Sequence, residues 1–228
     1  MGTLTPLGEN LWVADGPTAI DLLVVPYPTR MTIVRLPSGG LWLSSPVKLP
    51  YERLQEVLGL GEVTHLVSAT PRHHWRLEPW HTLFPEATLW SCATGPFTLG
   101  KRTLPATRLT ERTPADWEGA LEQAVYPGYG FEETTFFHPA SRTLLVEDII
   151  QSHEPRRSAL VNAAVRVGGI GEDGGVPRDI RAITRRTDAR AWAARVLSWD
   201  FDRLVMAHGP VVETGARAYV ERMFAWLL

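Results

Sequence analysis

The stretch VTHLVSATPRHHWRLEPWH, residues 63–81, decides how the rest of the sequence is interpreted. It begins with the alternation of a buried strand and breaks at Thr70 and Pro71 into a polar turn that carries His73 and His74. A strand that delivers polar side chains to its C-terminal end is a common way to build a site in an α/β protein. Histidine is the commonest protein metal ligand. The pair is therefore a candidate metal-binding element, and a solvated or hydrogen-bonded loop pair is the alternative.

Composition limits the class of protein. The chain has 228 residues, of which 44% are hydrophobic, and it carries 23 Lys+Arg against 25 Asp+Glu. We predict a single domain over residues 1–228. The balanced charge excludes the basic excess that nucleic-acid binding needs. Cys92 is the one cysteine, so no internal disulfide or thiolate zinc framework can form.

The same features give expectations about location and partners. The N-terminal residues MGTLTPLGENLWV lack the pattern of a signal peptide, and no apolar run reaches the ~20 residues of a membrane helix. A reducing cytoplasm fits the single cysteine. We therefore expect a cytoplasmic protein that binds a small-molecule substrate or ligand, with no nucleic-acid or membrane partner. The sequence leaves the oligomeric state open.

Hydrophobic periodicity predicts the elements. A meander of four short antiparallel strands is predicted at residues 7–15, 21–25, 31–36 and 41–44. Later strands are predicted at residues 63–68, 87–91, 133–138, 142–146 and 202–206. Helices are predicted at residues 49–58, 114–125, 187–199 and 214–228. The second helix rests on Pro114 in the first turn and on an apolar face of Trp117, Leu121 and Ala124.

Residues 151–186 form the least regular part of the pattern, rich in Gly and Arg. Two interpretations stay open. The favoured one is a solvated insertion. The other is a mobile lid in which an arginine faces an anionic substrate, the candidates being Arg178, Arg181, Arg185 and Arg186.

Three predicted strands end in side chains that can bind a metal. HLVSA leads to the histidine pair, RTLLV leads to Glu147 and Asp148, and RLVMA leads to His208. Strand C-termini at one edge of a sheet cluster in space even when they are far apart in sequence. Taken alone, Asp148 is interpreted as a helix cap and His208 as an ordinary loop histidine. Together, three imidazoles and one carboxylate suit Zn²⁺, Fe²⁺ or Mn²⁺.

The order of these elements resembles the metallo-β-lactamase fold. Proteins of that family have an α+β fold, an αββα sandwich in which two mixed sheets pack face to face with helices outside. LGENLWVAD matches the opening strands, and LVSATPRHHW lies where the family carries His-x-His-x-Asp-His. EETTFFHPASRTLLVEDII resembles the hairpin that ends in the bridging aspartate of the family. LVMAHG resembles the strand that ends in the last histidine of the family. The likeness extends to an uncharacterised branch, a domain of unknown function, in which the ligand motif is altered.

The histidines that this sequence lacks all belong to one metal position of the family motif. With His74 on the final histidine of the motif, Ala69 and Pro71 take the places of the first two histidines and His73 takes that of the aspartate. Tyr129, in the sequence YPGY, stands where the family carries its next histidine. The first metal position of the family therefore lacks all of its histidines.

The second metal position keeps His74, Asp148 and His208, and His73 replaces its carboxylate with another possible ligand. The resemblance therefore implies one divalent metal ion held by His73, His74, Asp148 and His208. Zinc is the first choice, iron and manganese are alternatives, and a metal-free chain is the remaining one. The resemblance implies a hydrolase of a small substrate in which metal-bound water is the nucleophile. Asp148 would be catalytic as well as a ligand, and Glu147 or Tyr129 would act as proton donor or oxyanion partner.

Two further functions compete with the hydrolase. One is a non-catalytic, metal-free member of the fold that binds a ligand or partner. The other is an iron-dependent redox enzyme that uses the same site. His153 is an outside candidate for the pocket because it lies close to Asp148 in sequence. The sequence shows no dinucleotide fingerprint, P-loop or Gly-x-Ser-x-Gly motif that would indicate another chemistry.

Overall fold

The computed structural model describes residues 4–21, 25–92, 97–99, 102–154 and 158–228. The strands in these ranges are β1 (Thr5–Gly8), β2 (Leu11–Asp15), β3 (Ala19–Asp21), β4 (Val25–Tyr27), β5 (Arg30–Arg35), β6 (Leu41–Ser44), β7 (Val63–Ser68), β8 (Thr88–Ser91), β9 (Phe97–Leu99), β10 (Arg102–Leu104), β11 (Thr107–Arg108), β12 (Glu122–Pro127), β13 (Glu132–His138), β14 (Thr143–Val146) and β15 (Arg203–Met206). The α-helices are α1 (Tyr51–Leu58), α2 (Leu77–Leu83), α3 (Ala159–Val167), α4 (Arg178–Ile183), α5 (Arg186–Ser198) and α6 (Ala216–Met223).

Two mixed sheets form the centre of the molecule. The larger has the order β1-β2-β5-β6-β7-β8-β11, antiparallel up to β6 and parallel from β6 onward. The smaller has the order β12-β13-β14-β15, in which β14 and β15 run parallel. Strands β3 and β4, and strands β9 and β10, form two separate two-stranded ribbons.

Apolar side chains from both sheets meet in an inter-sheet core. Trp42 of β6 packs edge-to-face on Phe136 of β13, with the ring centroids 4.8 Å apart, and on Trp117 at 6.1 Å. All three side chains are fully buried. Burial of aromatic surface at this junction contributes strongly to the packing of one sheet on the other.

Helices cover the outer face of each sheet. Val57 of α1 and Trp80 of α2 pack on the seven-stranded sheet. Trp192 of α5 and Val220 of α6 pack on the four-stranded sheet. The layers are therefore helix, sheet, sheet, helix, and the predicted αββα sandwich is confirmed.

One predicted helix is wrong. Residues 114–125 do not form a helix: a single 3₁₀ turn covers Ala115–Trp117, and β12 begins at Glu122. Ala124 of β12 pairs with Thr135 of β13, so sheet pairing overrides the 3–4 spacing that suggested a helix. Trp117, Leu121 and Ala124 are nevertheless buried, as expected of the apolar set.

Other elements differ in extent. The predicted strand 21–25 is not part of the meander, since Asp21 and Val25 belong to the β3–β4 ribbon, and residues 22–24 lie outside the described ranges. The last helix is α6, shorter than the predicted 214–228. The sequence interpretation missed α2, α3 and α4. Helix α3 is capped by Ser158 Oγ, which accepts from the backbone N–H of Val161. None of the helices within the described ranges has the length and apolar character to cross a bilayer.

Candidate metal centre

The cluster of polar side chains lies where three strands end. His73 follows β7, Asp148 comes two residues after β14, and His208 comes two residues after β15. Because β14 and β15 are parallel neighbours, their C-terminal ends lie side by side, and the backbone N–H of Ala207 still donates to Val146. The carboxyl ends of parallel strands are the usual place for a site in such sheets.

His73, Asp148 and His208 converge on one point. The Nε2 atoms of the two rings lie 3.0 Å apart, and Asp148 Oδ1 lies 3.5 Å from His73 Nε2 and 3.4 Å from His208 Nε2. All three side chains are buried. In the part of the chain that the structure describes, they form the group whose ligand atoms all lie within 4.8 Å of one another and could hold a metal ion.

The hydrogen bonds behind the rings fix which nitrogens point inward. The Nδ1 atom of His208 lies 2.7 Å from the backbone carbonyl of Pro28, which only accepts, so Nδ1 carries the proton. The Nδ1 atom of His73 lies 2.8 Å from Ser45 Oγ and 3.1 Å from Glu147 Oε2, so a proton there faces a carboxylate. In the neutral rings both Nε2 atoms therefore present lone pairs to each other.

That arrangement favours a proton or a metal ion between the rings. Two imidazole lone pairs and a carboxylate oxygen within 3.5 Å repel one another unless a proton or a metal ion lies among them. Imidazole nitrogen and carboxylate oxygen are ordinary ligands of Zn²⁺ and Fe²⁺. The hydrogen bonds from Nδ1 to a carbonyl and a carboxylate are the outer partners that metal-bound histidines usually have. The residues present thus fit a metal ion.

The charges at the cluster are strongly coupled. Burial alone would lower the pKa of the His73 imidazole, but the carboxylates of Asp148 and Glu147 raise that pKa well above its usual range. Burial opposes the ionisation of Asp148, but His73 and His208 hold the pKa of this carboxyl well below its usual range. The site therefore favours an ionised carboxylate with positive charge beside it.

Further side chains hold Asp148 in place. Thr70 Oγ1 donates to Asp148 Oδ2 at 2.7 Å, and Gln151 Nε2 donates to Asp148 Oδ1 at 3.2 Å. His153 Nε2 lies 3.4 Å from Gln151 Oε1, which ties this outside candidate into the same network. Both Gln151 and His153 are buried.

Glu133 of β13 holds the backbone that carries Asp148. Its Oε1 accepts from the N–H of Glu147 at 2.8 Å, and its Oε2 accepts from the N–H groups of Asp148 at 2.7 Å and Ile149 at 2.9 Å. Glu133 is fully buried. One side chain thus satisfies three backbone donors that no strand pairing uses.

Arg30 holds the loop that carries His208. Its Nη1 donates to the carbonyls of Met206 at 3.3 Å and Gly209 at 2.6 Å, and its Nε donates to Asp15 at 2.8 Å. Since Arg30 and Asp15 lie on the seven-stranded sheet, these bonds join the two sheets beside the cluster.

The remaining predicted site residues lie elsewhere. His74 opens the 3₁₀ turn His74–Arg76, is half-buried and is not part of the group of three. Glu147 lies behind His73, where its Oε1 accepts from Ser44 Oγ at 2.7 Å. Tyr129 is 73% exposed and is not among the described residues that line the cavity over the cluster.

A cavity of about 570 Å³ opens over the cluster. His73, Asp148 and His208 line it together with Gln151 and His153. Three cationic side chains also line it: Lys48, Arg72 and Arg76. Because Arg72 and Arg76 lie close to the histidine pair in sequence, the sequence could have assigned them to the site. No neighbouring motif in the sequence indicates Lys48.

The Gly- and Arg-rich segment contributes to this cavity, but not through the predicted arginines. Ala164, Val165, Gly168 and Ile170 line the wall. Arg181 and Arg186 instead lie over the ring of Trp226, at 4.6 and 5.6 Å, and Arg185 pairs with Asp188. Among the described lining residues there is no arginine from positions 178–186.

Sequence comparison identifies the family. A model of a family described as a domain of unknown function, DUF4336, matches residues 8–167. The chain belongs to the DUF4336 family. The matched residues include His73 and Asp148, and His208 lies beyond them. No curated protein is significantly similar in sequence to this DUF4336 chain.

Solved structures of the metallo-β-lactamase fold are similar to the DUF4336 chain over nearly its whole length. A metallo-β-lactamase from Pontibacter korlensis has a TM-score of 0.59 at 14% identity, with 97% of this chain and 98% of that one covered. FIM-1 from Pseudomonas aeruginosa, in a mono-zinc form, has a TM-score of 0.62 at 11% identity, with 99% and 93% covered. The metal-soaked Flv1 flavodiiron core from Synechocystis sp. PCC6803 has a TM-score of 0.66 at 11% identity, with 99% and 60% covered.

At these identities the likeness establishes the fold. The DUF4336 chain has the metallo-β-lactamase fold, and both the resemblance and its assignment to an uncharacterised branch are confirmed. Function has to be argued from the site, since one fold carries many activities.

Proposed function

We propose that this DUF4336 chain is a metal-dependent hydrolase that binds one divalent cation between His73, Asp148 and His208. The observation that carries the proposal is the 3.0 Å approach of two Nε2 atoms whose rings donate from Nδ1 to other groups. A cation between these rings removes the repulsion of their lone pairs.

The number of ligands supports a catalytic role. Catalytic zinc sites typically have three protein ligands and an open position, whereas structural sites have four. Here two imidazoles and one carboxylate converge at the floor of an open cavity. The solved FIM-1 structure, which has the same fold, is of a mono-zinc form, so one ion is compatible with this architecture.

A bound divalent cation would lower the pKa of a water molecule from 15.7 to roughly 7 and polarise a carbonyl or phosphoryl oxygen. The protein supplies the position. Thr70 and Gln151 orient Asp148, Pro28 orients His208, and Glu147 orients His73 through its Nδ1 atom. Hydrolysis adds the oxygen of water to the electrophilic carbon or phosphorus, and the leaving group departs with a proton.

Glu147 is a positioning residue in this proposal. Its carboxylate contacts Ser44 and the far side of the His73 ring, and it is not among the described residues that line the cavity. We assign no role to Tyr129 in this proposal, because its side chain is exposed and is not among the described residues that line the cavity.

Metal analysis of the full chain, purified without a metal-affinity tag, tests the proposal. We expect about one equivalent of zinc, iron or manganese by mass spectrometry, as one group of three ligands implies. His208→Ala should lose the metal, while His81→Ala, a histidine on α2 outside the cavity, should retain it. A screen of small esters, amides and phosphoesters should then give turnover that a chelator abolishes and the same metal restores.

Other results would contradict the proposal. A wild-type chain that takes up no metal even after reconstitution would exclude the metal hydrolase and leave a non-catalytic, ligand-binding protein. Bound iron with oxidase activity and no hydrolysis would instead support the redox enzyme. Equal metal content in His208→Ala and wild type would place the ion elsewhere.

A further inference from the structure

We propose that the cavity over His73 selects a small organic anion with an apolar body, and that Lys48, Arg72 and Arg76 bind its oxyanion group. The inference rests on the proposed function in one respect, namely that the cavity ligand is the substrate. It adds the chemical class of that substrate.

The charge of the cavity wall points to an anion. Three cationic side chains line the cavity, and among the described lining residues Asp148 is the only carboxylate. Asp148 already faces His73 and His208 and accepts from Thr70. The open part of the cavity therefore has an excess of positive charge, and a bound divalent cation would increase it. A cleft lined by one sign of charge attracts ligands of the opposite sign.

Arg72 is held in position for this role. Its Nη2 donates to Asp179 Oδ2 at 2.6 Å, and its guanidinium carbon lies 5.1 Å from the centre of the Phe131 ring. Asp179 is on α4 and is not one of the described residues lining the cavity. A guanidinium has five N–H donors, so one bond to Asp179 leaves donors for a second oxyanion. Arginine is well suited to carboxylate and phosphate groups because its donors form a planar fork.

The rest of the wall fits an apolar body. Ala164 and Val165 of α3 and Ile170 beyond it line one side, and Pro46 and Val47 line another. No residue of α3 is buried, although the helix has the sequence ALVNAAVRV. The described part of the chain leaves this apolar surface uncovered, and such a surface often marks a binding site. The cavity volume of about 570 Å³ is in the range of small-molecule sites.

Calorimetric binding to the full, metal-free chain tests the inference. The probes are phenyl phosphate and benzoate, which combine a ring with an oxyanion, and benzyl alcohol as the neutral probe. We expect at least one anion to bind about tenfold more tightly than benzyl alcohol. The variant with Lys48→Gln, Arg72→Gln and Arg76→Gln together should lose that preference, and Arg35→Gln, an exposed arginine on β5, should keep it. Preference for one anion over the other identifies the oxyanion as phosphate or carboxylate.

Either of two results would overturn the inference: no preference for the anions in the wild type, or an unchanged preference in the triple variant. Circular dichroism and thermal unfolding check that the triple variant folds. If it does not fold, Lys48→Gln alone provides the test, because this side chain is exposed and its loss should still weaken anion binding about tenfold.

Two further measurements separate this inference from the metal proposal. Zinc content of the triple variant should equal that of the wild type, since none of the three cations is in the ligand group. Anion preference in metal-free protein without any metal uptake after reconstitution would keep the anion site and reject the hydrolase. Metal uptake without anion preference would keep the metal site and reject the anion site.

Discussion

The Nε2 atoms of His73 and His208 lie 3.0 Å apart in the fold, although 135 positions separate the two residues in sequence. Each ring has its other nitrogen engaged, His208 with the carbonyl of Pro28 and His73 with Ser45 and the carboxylate of Glu147. The pair is therefore held with its two Nε2 atoms facing each other, and together with Asp148 it could hold a metal ion. Substitutions in and around the pair test which residues create that geometry.

The two adjacent histidines should behave differently. We expect His73→Ala to lose the metal, because its Nε2 lies in the group of three ligands, and His74→Ala to retain it, because His74 lies outside that group. Metal content of the two purified variants measures this. Equal loss in both would restore His74 as a fourth ligand, as the sequence alone suggested.

Removing the charge of Glu147 should weaken the site without removing a ligand. In Glu147→Gln the amide no longer offers His73 Nδ1 a carboxylate at 3.1 Å. Loss of such an outer partner typically lowers metal affinity about 10–100-fold. Competition with a zinc-binding dye gives the affinity, and Glu118→Gln, an exposed glutamate, is the control. An unchanged affinity in Glu147→Gln would contradict the positioning role.

Glu133 should matter for stability. In Glu133→Gln an amide NH₂ replaces one of two oxygens that accept three backbone N–H bonds, so at least one buried donor loses its acceptor. We expect the free energy of unfolding to fall by about 1–3 kcal/mol. Denaturant titration measures it, beside Glu132→Gln, whose side chain pairs with Arg108 at the surface. Matching unfolding midpoints for the two variants would show that the three bonds contribute little.

His138 should make the fold sensitive to acid. Burial lowers the pKa of this imidazole from 6.5 to about 4. Between these values the unfolded chain binds a proton that the folded chain does not, so stability falls as pH drops from 6.5 toward 4. Between pH 7 and pH 5 the free energy of unfolding should therefore fall by about 1–2 kcal/mol less in His138→Asn than in the wild type. Urea titrations at both pH values measure the difference, and His81→Asn is the control. Parallel pH profiles of stability for His138→Asn and the wild type would contradict a role of His138 in acid sensitivity.

The fold was predictable to the extent that local pattern and sheet pairing agree. The hydrophobic pattern correctly indicated β7 and β15, each of which is largely buried and pairs with at least one parallel strand. The pattern misled at residues 114–125, because Trp117, Leu121 and Ala124 fit a helical spacing, whereas Ala124 lies on a strand that pairs with β13. Short apolar runs cannot be assigned by periodicity alone, and here the long-range pairing decided.

The site was predictable only in part. His73, Asp148 and His208 each follow a strand, and the clustering of strand ends at one sheet edge is enough to group them in a single hypothesis. Lys48 and Gln151 follow no such rule, since they approach the cluster through tertiary contacts that leave no sequence signal. Tyr129 was assigned a role by its place in the family motif, but its side chain faces solvent.

The candidate ligands come from both sheets: His73 follows a strand of the seven-stranded sheet, while Asp148 and His208 follow strands of the four-stranded sheet. A bound ion would therefore cross-link the two halves of the molecule. At a free concentration 100 times its Kd, the ion would add about 2.7 kcal/mol to the stability of the closed sandwich. Conversely, replacing Trp42 in the inter-sheet core with a smaller side chain should weaken the packing between the sheets and release the metal. Because Trp42 is not a ligand, that release would show that the two sheets had separated.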